Sequence, residues 1–296
     1  MSHDARVAAA HRGGGLELIT GAGPRAGYIT GRLRHAAAGP LDLPAVGDWV
    51  TCDPESGAVH AVRERTSALV RATRDGRAPQ VLAANVDLVV VVASLTRELS
   101  LGRIERMLTL AADAPAEAVV VLSKADLVPD PAARVAEVRA AIGGGTPVLP
   151  ISTVSGTGLD ALAARLGPGV TGVLLGASGV GKTTQLNALA GGGVVIDTPG
   201  LKLPRIWEQA SGLTSVFADV EALARGCRFA DCRHAGEPGC AVAGAVAPER
   251  LEALEQLRRE EAWAESRRDE GARRRRKEAE RRSHREYRRV QRDKRR

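Results

Sequence analysis

The stretch from Val170 to Gly200, VTGVLLGASGVGKTTQLNALAGGGVVIDTPG, limits the possible folds more than any other part of this chain. Gly176 to Thr183 satisfies the pattern G-x-x-x-x-G-K-[ST] in full, after an apolar run and before helix-compatible TQLNALA. A buried strand that turns through glycines straight into a helix belongs to a layered α/β sheet. Its glycines let backbone N–H groups point inward at the positive end of a helix, which makes a cradle for phosphates. The cradle is assigned to Gly176, Ala177, Ser178, Gly179, Val180, Gly181, Lys182, Thr183 and Thr184. Within it, the Lys182 ammonium suits β- and γ-phosphates and the Thr183 hydroxyl suits Mg²⁺.

GVVIDTPG follows almost at once. It reads as a buried strand that delivers Asp197 to hold Mg²⁺ through a water, with the Gly200 N–H placed to sense a γ-phosphate. Lys182, Thr183, Asp197 and Gly200 are thus the candidate catalytic set. Only ALAGGG separates the helix from this strand, which is still enough for a strand–helix–parallel strand crossover.

Upstream, VLAANVDLVVVVAS (Val81–Ser94) reads as one continuous strand buried on both faces. RIERMLTLAADA has helical spacing at Ile104, Met107, Leu108 and Ala111. AVVVLSKADL predicts a further strand, AARVAEVRAAI a helix and PVLPIS a short strand. Strands alternating with helices predict a parallel sheet. Ser123-Lys124-Ala125-Asp126, at a strand end, resembles the Asn-Lys-x-Asp element of GTPases. A carboxylate at Asp126 can accept from guanine N1 and N2, which adenine cannot match, and the Lys124 stem can pack over the base. Ser123 stands where Asn is usual and should weaken the strut to the phosphate loop. ISTVSGTG resembles the fifth GTPase element and brings Ser152 towards guanine O6. The order is base, base, phosphate, metal: a circular permutation of the usual GTPase order, tolerable because loops on one face of a sheet can be rejoined. An ATP-dependent kinase or ATPase is disfavoured by Asp126.

The first 75 residues carry short apolar stretches (LELIT, GYITGRL, VGDWVTC, AVHAV) broken by Gly and Pro. They fit a five-stranded OB-type barrel. Tyr28 and Trp49 are its only aromatics, so a base-stacking surface is poorly supplied. Three of the four cysteines fall between Cys227 and Cys240, and Cys227-x4-Cys232-x-His234-x5-Cys240 suits a closed tetrahedral Zn²⁺ site. Arg225, Arg228 and Arg233 flank it and are expected to keep the thiols ionised. Cys52 reads as a core or edge residue. Leu251, Leu254 and Leu257 are expected to pack against the zinc domain, with Trp263 farther on. The formal net charge of +7 sits in the tail: Gly271 to Arg296 holds 14 Lys and Arg against 4 Asp and Glu. Such a tail is how a nucleic-acid-binding arm is written. No run approaches the ~18 apolar residues of a membrane span, and the N-terminus carries no signal-peptide pattern. These features point to the cytoplasm and to a monomer.

Together LPAVGDWV, RTSALVRA, QVLAANVD, RIERMLTLA, LSKADL, GASGVGKTT, IDTPG and CRFADCRHAGEPGCAV resemble the ribosome small subunit-dependent GTPase A family over nearly the whole chain. The resemblance implies three parts. They are an OB-fold barrel at 1–75, a circularly permuted P-loop GTPase domain at 80–208, and a zinc-binding helical domain with a basic tail at 209–296. It implies GTP hydrolysis during maturation of the small ribosomal subunit, stimulated by that subunit, with contacts to its rRNA. The family's switch I segment, which carries a Mg²⁺-binding Thr and an edge strand, is missing between Ala190 and Gly193. A nucleotide-sensing rRNA adaptor with little or no hydrolysis is therefore the alternative. Leu201, where many GTPases carry a water-orienting Gln, implies slow hydrolysis without an outside group.

Overall fold

The computed structural model describes residues 3–11, 13–73, 78–96, 99–143, 145–188, 192–198 and 211–266. Gly200, Leu201 and the arginine-rich tail lie outside them.

Five strands close a barrel: β1 (His3–Ala10), β2 (Gly15–Thr20), β3 (Gly23–Ile29), β4 (Trp49–Cys52) and β5 (Ala58–Val62), in the order β1-β2-β3-β5-β4. Alternate residues fill it: Ala5, Val7, Leu16, Leu18, Val50, Cys52 and Val59 form the core, so Cys52 is a core residue. HDARVAAA supplies a strand that the sequence reading did not name, because its apolar residues are mostly alanine. One expectation needs correction. TGRL, expected to continue β3, opens the helix α1 (Gly31–Ala36), capped by the Thr30 side chain accepting from the Leu33 amide.

Asp48 is wholly buried beneath the barrel. Arg65 donates to both its oxygens at 2.7 Å, and the Ala45 amide donates to one of them at 2.8 Å. A two-stranded ribbon, β6 (Ala68–Ala72) with β7 (Pro79–Ala84), follows the barrel. Val81–Ser94 is therefore not one strand. The chain turns at Asn85, whose φ is +53°, and restarts as β8 (Leu88–Ser94). Asn85 suits that left-handed turn, and its side chain accepts from the Thr66 amide and donates to Gly47 O.

The second body is a wholly parallel sheet in the order β10-β9-β8-β11-β12, with β9 at Glu117–Ser123, β10 at Val148–Ile151, β11 at Thr171–Leu175 and β12 at Val194–Asp197. The central strands are apolar on both faces, as sheets covered by helices require. Helices α2 (Leu101–Ala112), α3 (Pro131–Ala141), α4 (Leu159–Arg165) and α5 (Lys182–Ala188) connect them. One core packs α2 and α3 against β8 and β9, and the other packs α4 beneath β8, β9 and β11. The barrel sits on the β12 side, where Arg6 reaches across to donate to Thr171 Oγ1 at 2.8 Å and stacks over Trp49.

The third body holds α6 (Ser211–Val216), α7 (Ala218–Ala224) and a long helix over 248–266, α8. Phe217, Val220, Val242, Leu254 and Leu257 form its core, with Leu251 at the margin. Trp263 stays 40% exposed. This body is clamped to α2. Arg250 of α8 donates to Glu105 at 2.6 Å and to Asp219 at 2.9 Å, while Arg106 pairs with Glu260. Among the described residues no helix is long and apolar enough to cross a membrane.

Candidate nucleotide and metal sites

Because all five strands run parallel, their C-terminal ends lie along one edge of the sheet. The loops that follow β9, β10, β11 and β12 therefore gather there, as ligand-binding loops do in open α/β sheets.

The phosphate loop leaves β11 at Gly176, where a Cβ would lie 2.6 Å from the Val92 carbonyl. Only glycine permits that approach. Gly179 and Gly181 adopt φ of +77° and +96°, which L side chains rarely accept. The chain then enters α5 at Lys182. Lys182 is 6% exposed, and its ammonium donates to the Gly176 and Ala177 carbonyls, each at 2.9 Å. Burial lowers the Lys182 pKa, and the charge of Asp197 opposes that shift.

Thr183 Oγ1 donates to Asp197 Oδ2 at 2.9 Å, so the two Mg²⁺ candidates, one in the first turn of α5 and one at the end of β12, face each other. Asp197 Oδ1 is buried and has no hydrogen-bond partner among the described residues. A buried carboxylate oxygen without a donor is costly unless something else meets it. A hydroxyl beside such a carboxylate is a hard-oxygen set that fits Mg²⁺ with its waters. Thr183 and Asp197 would hold the ion, which would supply positive charge beside the phosphates.

Ser123 ends β9 fully buried, and its hydroxyl lies 2.6 Å from the Val180 carbonyl and 3.1 Å from the Ala93 carbonyl. A contact to the phosphate loop is thus present at Ser123. The shorter side chain still reaches the phosphate loop, because β9 and β11 flank the same central strand. Lys124 follows in a left-handed conformation, φ +61°, and sends the chain into a 3-10 turn at Ala125–Leu127. Asp126 projects from that turn, exposed. After β10, Ser152 is buried, and its Oγ accepts from the amides of Val154 and Ser155 at 3.2 and 3.1 Å, closing the next loop. Removing the Ser123 hydroxyl leaves the Val180 carbonyl unpaired. Ser123→Ala is expected to weaken GDP binding about threefold to tenfold with an almost unchanged melting temperature, measured by fluorescent-nucleotide titration.

Cys227, Cys232, His234 and Cys240 place one donor atom each within 4.8 Å of one another. Cys227 Sγ lies 3.6 Å from His234 Nδ1 and 3.9 Å from Cys240 Sγ, and Cys240 Sγ lies 3.5 Å from His234 Nδ1. Those separations match the edges of a tetrahedron with metal–sulfur bonds of about 2.3 Å. His234 takes a φ of +62° to turn its ring inward. The Cys240 thiol falls to about 6, chiefly because the Ala243 amide donates to its sulfur at 3.2 Å. Backbone amides, rather than the neighbouring arginines, favour its thiolate; the Arg228 guanidinium stacks on Phe229. Packed thiols that hydrogen-bond one another and a histidine form a zinc-binding set.

The comparisons with known proteins agree with this geometry. The family model described as RsgA GTPase matches residues 62–192. The small ribosomal subunit biogenesis GTPase RsgA of Syntrophotalea carbinolica is 41% identical over 85% of this chain and 82% of its own length. That of Streptomyces avermitilis is 44% identical over 75% and 70%. The first alignment runs over 300 positions yet takes in 85% of this 296-residue chain, so dozens of its positions have no counterpart here. Among solved structures, YjeQ from Thermotoga maritima superposes with a TM-score of 0.62 at 25% identity, covering 87% of this chain and 97% of that one. A circularly permuted GTPase, YloQ, shares the fold with a TM-score of 0.60 at 23% identity over 90% and 96%. With a barrel, a permuted sheet and a Cys₃His cluster in one chain, and relatives of this identity over most of its length, the protein is a member of the RsgA GTPase family.

Proposed function

We propose that the chain is a GTP-binding assembly factor of the small ribosomal subunit that hydrolyses GTP to GDP and phosphate, with Zn²⁺ resident in the Cys₃His site. The observation that carries the reading is the convergence of Lys182, Thr183 and Asp197 with the Ser123 strut on one sheet edge. The phosphates occupy the loop from Gly176 to Thr184, and Mg²⁺ lies at Thr183 and Asp197. Guanine is read by Asp126, with Lys124 and Ser152 beside it. In the proposed division of labour the barrel, the zinc domain and the basic tail grip rRNA, and the cytoplasm is where that partner is found.

The discriminating substitution is Asp126→Asn. An amide at this position donates where guanine also donates, so guanine binding should fall by roughly 100-fold while xanthine nucleotides gain. Unchanged guanine affinity would refute the base-reading role. Turnover of GTP with and without purified small subunits then separates hydrolysis from nucleotide sensing alone. The short connection between α5 and β12 favours the second reading, a nucleotide-sensing rRNA adaptor, if the subunits give no stimulation.

A further inference from the structure

We propose that Arg103 is a second phosphate-binding cation, reaching over the phosphate loop to the terminal phosphate of a bound nucleoside triphosphate; this rests on the guanine-nucleotide reading above. β8 is the immediate neighbour of β11. The segment leaving β8 therefore emerges beside the phosphate loop, and its helix α2 begins there. A cavity of about 70 Å³ lies between them, lined by Ala177 and Val180 of the loop and by Ser100, Arg103, Ile104 and Met107 of the α2 start. Arg103 thus shares a cavity wall with the loop that cradles phosphates.

The rest of α2 is tied down. Ile104, Met107 and Leu108 are buried against the sheet, Glu105 is held by Arg250, and Arg106 is held by Glu260. At Gly102 a Cβ would lie 3.1 Å from Ala253 Cβ of α8, which pins the first turn. Arg103 differs: it is exposed, and it has no hydrogen-bond or ion-pair partner for its guanidinium among the described residues. A long cation on a fixed helical turn, without a carboxylate among the described residues to satisfy it, is poised for an anion that arrives later.

Charge balance selects the terminal phosphate. The loop amides, Lys182 and Mg²⁺ suffice to neutralise a diphosphate, while a triphosphate brings further negative charge to the same place. A guanidinium meets phosphate oxygens through a planar fork of donors, which an ammonium cannot copy. Negative charge on the transferring phosphoryl group is also what such a cation would stabilise during hydrolysis.

The experiment is calorimetric titration of zinc-loaded full-length protein with GDP and with a non-hydrolysable GTP analogue, comparing the unaltered chain with Arg103→Ala and Arg103→Lys. Arg103→Ala should lose roughly tenfold for the analogue and less than about twofold for GDP, with Arg103→Lys falling between. The side chain is exposed, and unchanged thermal melting of each variant checks the fold. An analogue-to-GDP affinity ratio that does not move in Arg103→Ala would overturn the inference and leave the guanine-nucleotide reading standing. Failure of the unaltered protein to bind either nucleotide would overturn both.

Discussion

Lys182→Ala should abolish measurable guanine-nucleotide binding, a loss of at least about 100-fold in affinity. The ammonium is buried at the mouth of α5 and bridges two carbonyls of its own loop, which fixes the loop's curvature before any ligand arrives. A bound phosphate would take over one of the ammonium's donors and gain a charge-assisted bond in a partly desolvated place, where such bonds are strongest. Alanine removes the charge and also frees the Gly176 and Ala177 carbonyls to repel the incoming phosphate. Retention of near-normal GDP affinity in calorimetry would remove this loop from the site. The fold should survive, since the sheet beneath is built from Val90, Val92, Leu174 and their neighbours and does not depend on the lysine.

The second large effect concerns the clamp between the sheet and the zinc-bearing helices. Glu105 is wholly buried; Arg250 meets one of its oxygens, while the other has no partner among the described residues. Burial raises the Glu105 pKa from 4.5 to about 7, against the pull of Arg250. Arg250 also donates to Asp219 and stacks over Phe217, and the pair of acids raises its own pKa despite burial. Arg250→Ala leaves a buried carboxylate without its cation, and breaking such a pair costs about 3–5 kcal/mol. The direction with pH follows from proton counting. Between pH 4.5 and about 7 the folded state holds a Glu105 proton that the unfolded state has released. This group's contribution to stability is therefore greatest below that window and declines as pH rises through it. The Arg250→Ala deficit should be larger at pH 8 than at pH 5, because at pH 5 the orphaned carboxyl is neutral. Denaturant melts of both proteins at the two pH values test this. Equal deficits would show that Asp219 and the Phe217 contact, rather than Glu105, set the role of Arg250.

The parts of this molecule that could be read from the sequence were those with a steep local code. Gly176–Thr183 admits few backbones, and Cys227, Cys232, His234 and Cys240 lie close enough along the chain for their spacing to imply one metal. The run of β-branched residues in β8, β9 and β11 announces strands covered on both faces. The break at Asn85 was hidden because Val81–Ala84 and Leu88–Ser94 are both apolar, and only the left-handed turn between them divides the run. β1 escaped because its apolar residues are mostly alanine, which does not announce a strand as valine does. That Ser123 still reaches the phosphate loop was not legible, because side-chain length says little without the separation of the strands. Glu105 and Arg250 are 145 residues apart, and neither sits in a pattern that points to the other. Arg103 could not be distinguished from any other helical arginine until its neighbours across the cavity were known.

The strand order has a consequence for birth on the ribosome. β8 pairs with β9, its successor, and with β11, which leaves the exit tunnel roughly 80 residues later. The half of the sheet that ends in the Asp126 and Ser152 loops is thus exposed to solvent first, with the edge of β8 that later receives β11 left bare. The loop from Gly176 to Thr183 emerges only after four of the five strands. In an unpermuted relative the cradle would appear early and could nucleate around ligand; here the nucleotide joins a sheet that is almost complete. Chaperones that shield exposed strand edges should therefore matter most during synthesis of residues 124–170.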